Sequence, residues 1–140
     1  MNVDHVAEAL HWLSFAIGDL QAARSHRGRH VRPRIVAFEA QQAADKALKA
    51  ALILDGIEPR RTHDLDDLRD RLPDAWHIKR HLPDLARLSD YAAESRYPDN
   101  IAPVTAIQSA TAVRQAVAVV RWIREDFERR GVPTLEIEPQ

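Results

Sequence analysis

Three short stretches of this chain carry side chains suited to holding phosphates or moving protons. Arg96, Tyr97 and Asp99, set around Pro98, join a guanidinium fork to a phenol that can stack or hydrogen-bond, a pairing that fits a phosphate ligand. Thr62-His63-Asp64 places an imidazole, the side chain that titrates nearest neutrality, between a hydroxyl and a carboxylate. Arg24, Arg27, Arg29, Arg32 and Arg34, with His26 and His30 among them, form a run without an acid, suited to phosphates or to an acidic partner. Lys46 follows Glu39 and Gln42 at helical spacing, which suits a polar groove, with a plain exposed helix face as the simpler account.

Each stretch also has a plain structural account. Arg96 can pair with Glu94 or Asp99 at a corner, His63 can pack at a helix start, and a basic run without interleaved aromatics offers no platform for stacking bases. No nucleophile stands beside His63, which makes Thr62, His63 and Asp64 candidates for ligand or partner contact rather than for catalysis. His77 and His81, like His26 and His30, are four apart, but two imidazoles fall short of the three or four ligands of a zinc site. No metal or other cofactor is assigned.

Composition narrows the classes further. A chain of 140 residues fits one domain with a real core, and its 45% hydrophobic and 29% charged residues are ordinary for a globular protein. With no cysteine there is no disulfide framework and no thiolate site. A net charge of -1 carries no global nucleic-acid signature, although charge is segregated: the arginine run precedes an acidic one at Asp64, Asp66, Asp67 and Asp70. No apolar run approaches the length of a membrane span and the N-terminus has no signal-like segment, so the expected location is cytoplasmic.

The elements that must position these residues are helices. Val6, Leu10, Leu13, Ile17 and Leu20 form one apolar stripe, predicting a helix from Val3 to about Ala23 despite Gly18. Gly28 and Pro33 break the pattern, and an alanine-rich helix follows from about Arg34 to Leu54, stopped by Gly56. Alanines on several of its faces mark it as the central helix. Thr62 is placed to cap a short helix starting at His63, and a connection runs through Trp76, His77 and His81. A third long helix is predicted from about Pro83 to Ser95, and a fourth from Pro103-Val104-Thr105 to Gly131 on the stripe Ile107, Ala110, Val113, Val117, Val120, Ile123 and Phe127. The expectation is an all-α, antiparallel up-and-down four-helix bundle over residues 1–131, with one short extra helix between the second and third long helices. Residues 132–140 are a C-terminal tail, extended or mobile. Arg96, Tyr97 and Asp99 then lie at the end of the bundle that holds the arginine run, and Pro59 to Asp64 at the other.

Three segments in this order, Ala37-Phe38-Glu39-Ala40-Gln41-Gln42-Ala43-Ala44-Asp45-Lys46-Ala47-Leu48-Lys49-Ala50, Thr62-His63-Asp64-Leu65 and Tyr91-Ala92-Ala93-Glu94-Ser95-Arg96-Tyr97-Pro98-Asp99, resemble the HEPN family, the helical domains named for higher eukaryote and prokaryote nucleotide binding. The resemblance spans the helices from about Asp4 to Arg130. It implies a helical bundle, often a homodimer, and either of two activities. Some members cleave RNA with an Arg followed after four to six residues by His; others bind nucleotides or partner a minimal nucleotidyltransferase, sometimes as toxin and antitoxin. Arg96 stands at the place of that arginine, but at that spacing the chain has Ile101, Ala102 and Pro103. Arg24 to His30 and Arg71 to His77 match the spacing at other places in the chain. The chain therefore reads as a non-catalytic binding or interaction module, a homodimer with a nucleotide or a nucleotidyltransferase as partner. Its rivals are a metal-independent RNA-cleaving toxin using Arg96 and His63, and a structural dimerisation module whose acidic run recruits a basic partner.

Overall fold

The structure, a computed structural model, describes residues 2–82, 84–92 and 103–140. Six helices follow one another among these residues: α1 (Val3–His26), α2 (Pro33–Leu54), α3 (Leu65–Asp70), α4 (Ile78–His81), α5 (Ala86–Asp90) and α6 (Ala106–Arg129). The chain is all-helical, as its periodicities require, and no described residue is in a strand. No helix of the described residues is long and apolar enough to cross a membrane.

Local chemistry sets the boundaries. Asn2 opens α1, its Oδ1 accepting from the amides of Asp4 at 2.8 Å and His5 at 3.3 Å. Pro33 occupies the first turn of α2, where its missing N–H costs nothing. Thr105 and Gln108 exchange side chain to backbone hydrogen bonds of 3.1 and 2.9 Å at the start of α6, a full capping box. Gly56 and Gly131, at φ of 73° and 78°, end α2 and α6 in the left-handed conformation that closes a helix. The Ile57 amide reaches back to the Leu52 carbonyl at 2.9 Å, and the Val132 amide to that of Phe127 at 2.9 Å.

Helix α2 is the centre of the molecule and packs against α1, α3, α5 and α6. Ala37, Ala40, Ala43, Ala44, Ala47, Ala50 and Ala51 are all fully buried. Because a methyl is the largest group these positions present, α1 and α6 can close on α2 at the short end of the usual ~8–10 Å interaxial range. Leu48, Leu52 and Leu54 fill the gaps together with Leu13, Ile123 and Phe127 from the flanking helices. At the far end of α2, the indole of Trp76 packs edge-on against Phe127, donates to Asp55 Oδ2 at 2.6 Å and lies under the Arg130 guanidinium at 3.9 Å.

Two parts differ from the sequence expectation. The return leg after α3 holds, in the described residues, two short helices: α4 forms within the segment read as a connection, and α5 covers Ala86–Asp90 of the helix expected from about Pro83 to Ser95, whose residues 83 and 93–95 lie outside the described residues. Leu82 leaves α4 at ψ 78°, and among the described residues that follow, α5 begins at Ala86 with Leu85 as its cap. Short as they are, these pieces are anchored. Arg69 donates to Asp66, Asp70 and the Leu82 carbonyl, the Leu85 amide donates to Asp66 at 2.8 Å, and His81 stacks on Trp122 at 4.1 Å.

The segment after Gly131 has no helix or strand, but it is held to the bundle at two places. Val132 and Thr134 are buried, Thr134 is hydrogen-bonded by Glu128 and Arg124, and the Gln140 amide donates to the Ser14 carbonyl of α1 at 2.9 Å. Gly18 permits this approach, since a Cβ there would overlap the Gln140 carbonyl. Two outcomes are expected. Ala44→Leu overpacks the α2 core and lowers unfolding free energy by about 1–3 kcal/mol, measured by urea denaturation. Gly18→Ala leaves the helical signal in circular dichroism intact but releases residues 137–140, seen as faster amide exchange and faster trimming by carboxypeptidase.

Candidate functional site at the middle of helix α2

An ionisable residue sits within the apolar surface of α2. Gln41, Asp45, Leu48 and Leu52 follow one another at spacings of three and four, so one stripe carries two polar and two apolar side chains, all buried. A buried carboxylate needs partners, and Asp45 has them on both oxygens. Lys49, one turn on, reaches Oδ1 at 2.7 Å, and His63 Nδ1 reaches Oδ2 at 2.7 Å. Gln41 Nε2 donates to the backbone carbonyl of His63 at 3.2 Å and lies 3.5 Å from Oδ2; Gln42 in turn donates to Gln41 Oε1 at 2.7 Å. The amide ladder holds the main chain of residue 63 while the acid holds its ring.

This geometry fixes the imidazole. An ionised carboxylate only accepts, so Nδ1 carries the proton and Nε2 faces outward. The His63 side chain is 61% exposed although its partner is 3% exposed, so a buried anchor presents an open edge to solvent. A ring oriented in this way can accept a hydrogen bond or a proton at Nε2, and once protonated can donate to a phosphate or carboxylate oxygen.

The other expected site residues have separate roles. Asp64, not Thr62, caps α3: its Oδ1 accepts from the Asp67 amide at 3.2 Å, and the helix begins at Leu65, leaving His63 outside it. Thr62 Oγ1 instead accepts from the Asp64 amide at 3.1 Å, tightening the turn that delivers His63. Lys46 points to α1, pairing with Asp19 at 2.6 Å and lying 5.9 Å from the centre of the Phe15 ring, so it is not brought to His63. Arg96, Tyr97 and Asp99 lie outside the described residues. The chain also doubles back after Gly56: His63 meets α2 at Asp45, nine residues before the helix end and about 14 Å along its axis, not at the far corner of the bundle.

Several chemistry-bearing residues are absorbed by the scaffold. Asp66 and Asp70 bind Arg69, and Asp67 pairs with Arg71 at 3.2 Å, so the acidic run is largely neutralised where it stands. His26 bonds Glu39 at 2.8 Å across the α1–α2 pair. The His77 amide donates to the buried Asp126, and the His81 ring is taken by Trp122. Among the described residues no three His, Cys, Asp or Glu side chains gather as a metal ion would require. Tyr91 is buried, and burial pushes its hydroxyl above the ordinary range.

An alanine-lined central helix, its flanking long helices and a histidine strap seated on its buried acid define a helical-bundle module of one particular family. Residues 9–129 match the HEPN domain, and the chain belongs to that family. Two crystal structures are similar over 84% of this chain and 96% of their own: TT1696 from Thermus thermophilus, at 28% identity and a TM-score of 0.73, and ST0689, described as an archaeal HEPN homologue, at 27% identity and 0.67. No curated protein matches the chain.

Asp45 and Gln41 are the residues that reading by motif passed over in favour of Lys46; a carboxylate on the same helical stripe as Leu48 and Leu52 was the signal. Two substitutions separate their roles. Asp45→Asn strands Lys49, which is only 12% exposed, and costs about 3 kcal/mol in urea unfolding, whereas His63→Ala costs under about 1 kcal/mol. Nitrogen NMR finds neutral His63 as the Nδ1–H tautomer in the wild type, and loses that preference in Asp45→Asn.

Proposed function

We propose that this HEPN chain is a binding and interaction module that takes a nucleotide-type ligand and pairs with a small nucleotidyltransferase, in the manner of a toxin and antitoxin couple. The observation that carries the reading is the His63 ring: locked from behind by Asp45, its outer nitrogen satisfies nothing among the described residues. A pre-oriented hydrogen-bonding edge with no structural duty fits a ligand contact, because the entropy of ordering it has been spent in folding. Thr62 and Asp64 shape the turn, and Arg96, Tyr97 and Asp99 remain proposed phosphate contacts on the strength of their chemistry. The module is proposed to act as a cytoplasmic homodimer. The exposed Phe15 on α1, edge-on to His11, supports an apolar contact face there.

The same ring favours one rival, RNA cleavage without a metal, since an imidazole backed by a carboxylate is a competent general base. The absence of a histidine at the family spacing after Arg96 weighs against it. Two measurements decide. Titration calorimetry with ATP is expected to show saturable binding, weakened about tenfold or more by His63→Ala; no heat at millimolar ATP overturns the binding reading. Incubation with single-stranded RNA is expected to leave it intact, and cleavage abolished by His63→Ala establishes the enzyme instead.

A further inference from the structure

Away from His63, a groove of about 540 Å³ opens between the last turns of α1 and the middle of α6. It is lined by Arg24 of α1, Arg27 just past the end of that helix and Arg114 and Arg121 of α6, together with Val113, Val117 and Ala118. Among the described residues, no acid and no aromatic ring lines it. In the linear sequence the two pairs are some ninety residues apart, and only the packing of α6 beside α1 makes them one surface.

The acids that could neutralise this groove are engaged elsewhere. Glu39 holds His26, and Asp19 holds Lys46. Glu125 and Glu128 line the adjoining pocket with Arg24 and Arg121, where Glu125 reaches Arg129 at 3.8 Å and Glu128 accepts from the Thr134 amide and hydroxyl. Among the described residues, Arg24, Arg27 and Arg121 pair with no carboxylate, and Arg114 meets only the Thr111 hydroxyl, at 3.0 Å. Four guanidinium groups thus share one concavity with no counter-charge from those residues. Lys would repel as strongly, but Arg adds planar, bidentate donation to phosphate oxygens.

Size and lining define the ligand. Arg114 and Arg121 are two turns apart, about 10 Å along α6, so their guanidinium groups can grip the two ends of a short phosphate chain. With no ring to stack on, the groove has nothing with which to read a base. We propose that it binds the phosphate chain of a nucleoside triphosphate, leaving the nucleoside outside the arginine cluster. The proposal rests on the nucleotide-binding reading above and gives that ligand a second place on the fold, remote from His63.

The test is calorimetry with ATP, inorganic tripolyphosphate and adenosine on chains that all carry His63→Ala, so that the first place is removed: His63→Ala alone, with Arg114→Ala/Arg121→Ala added, and with Arg80→Ala/Arg87→Ala added, which loses equal charge from exposed residues outside the groove. The His63→Ala chain is expected to bind ATP and tripolyphosphate within about threefold of one another and not to bind adenosine; adding the groove substitutions is expected to cost about 30-fold and adding the control pair under about threefold. Affinity should fall steeply with salt. ATP binding that persists in the groove variant overturns this inference and leaves the nucleotide reading standing. Silence of both ATP and tripolyphosphate on the His63→Ala chain overturns this inference, and silence on the wild type as well overturns the two together. Arginine-dependent binding of single-stranded RNA without tripolyphosphate binding overturns the inference in favour of a nucleic-acid backbone. Matching thermal melts of the three chains establish that folding is not the cause of any loss.

Discussion

The Asp45 carboxylate is the constraint on which the arrangement of the smaller helices depends. An acid at 2% exposure in the middle of the central helix must be matched on both oxygens, and the chain meets that demand from two distances: Lys49 from the same helix and His63 from a strap beyond the next turn. Without the strap, Oδ2 would keep only the long 3.5 Å contact from Gln41 Nε2. Bringing His63 to it pulls residues 57–64 back along α2, and that path decides where α3 begins. Asp64 can cap α3 because the strap ends there, and the buried Arg69 then ties α3 to Leu82 and Asp66 to Leu85. A single buried charge thus propagates through the layout of α3, α4 and α5.

The alanines of α2 and this acid are complementary uses of the same helix. Where both neighbours are helices, α2 presents methyl groups and the backbones come close; where its neighbour is an irregular strap, it presents Gln41 and Asp45, which can satisfy main-chain and imidazole groups that no methyl can. The family-like segments are therefore not independent marks on the sequence. The Gln41 to Lys49 portion of α2 and the Thr62 to Leu65 strap are two halves of one contact.

How much of this could be read in advance follows from the range of the interactions involved. The long helices were legible because their signals are local: the stripe from Val6 to Leu20, the stripe from Ile107 to Phe127, Thr105 with Gln108, and the stops at Gly56 and Gly131 all lie within a few turns of the elements they define. The α4 and α5 region was not, because Arg69, Asp66 and Trp122 shape it from elsewhere in the chain, against weak local preference. At the site, His63 was legible by type and neighbourhood. Its support was not: nothing local shows that Asp45 faces a strap rather than a helix, or that Lys46, the next residue, turns to α1 and Asp19. The arginine run predicted a basic surface around Arg24 and Arg27, but the α6 half of the groove could be found only by folding.

The central position of α2 also has a kinetic side. Six residues separate α1 from α2, whereas 51 separate α2 from α6. Loop closure grows only logarithmically with length, and the ratio corresponds to about 2 kcal/mol more chain entropy lost in docking α6 than in closing the α1–α2 hairpin. The hairpin is thus the cheaper nucleus, formed from neighbouring turns of chain, while the second face of α2 stays exposed until α6 arrives. Seven of the twelve buried apolar residues of α2 are alanines, so the helix offers less apolar area for non-native association than one lined throughout by larger aliphatic groups would. A helix suited to close packing in the finished bundle thus also presents, during assembly, a less adhesive waiting surface than a leucine-lined one would.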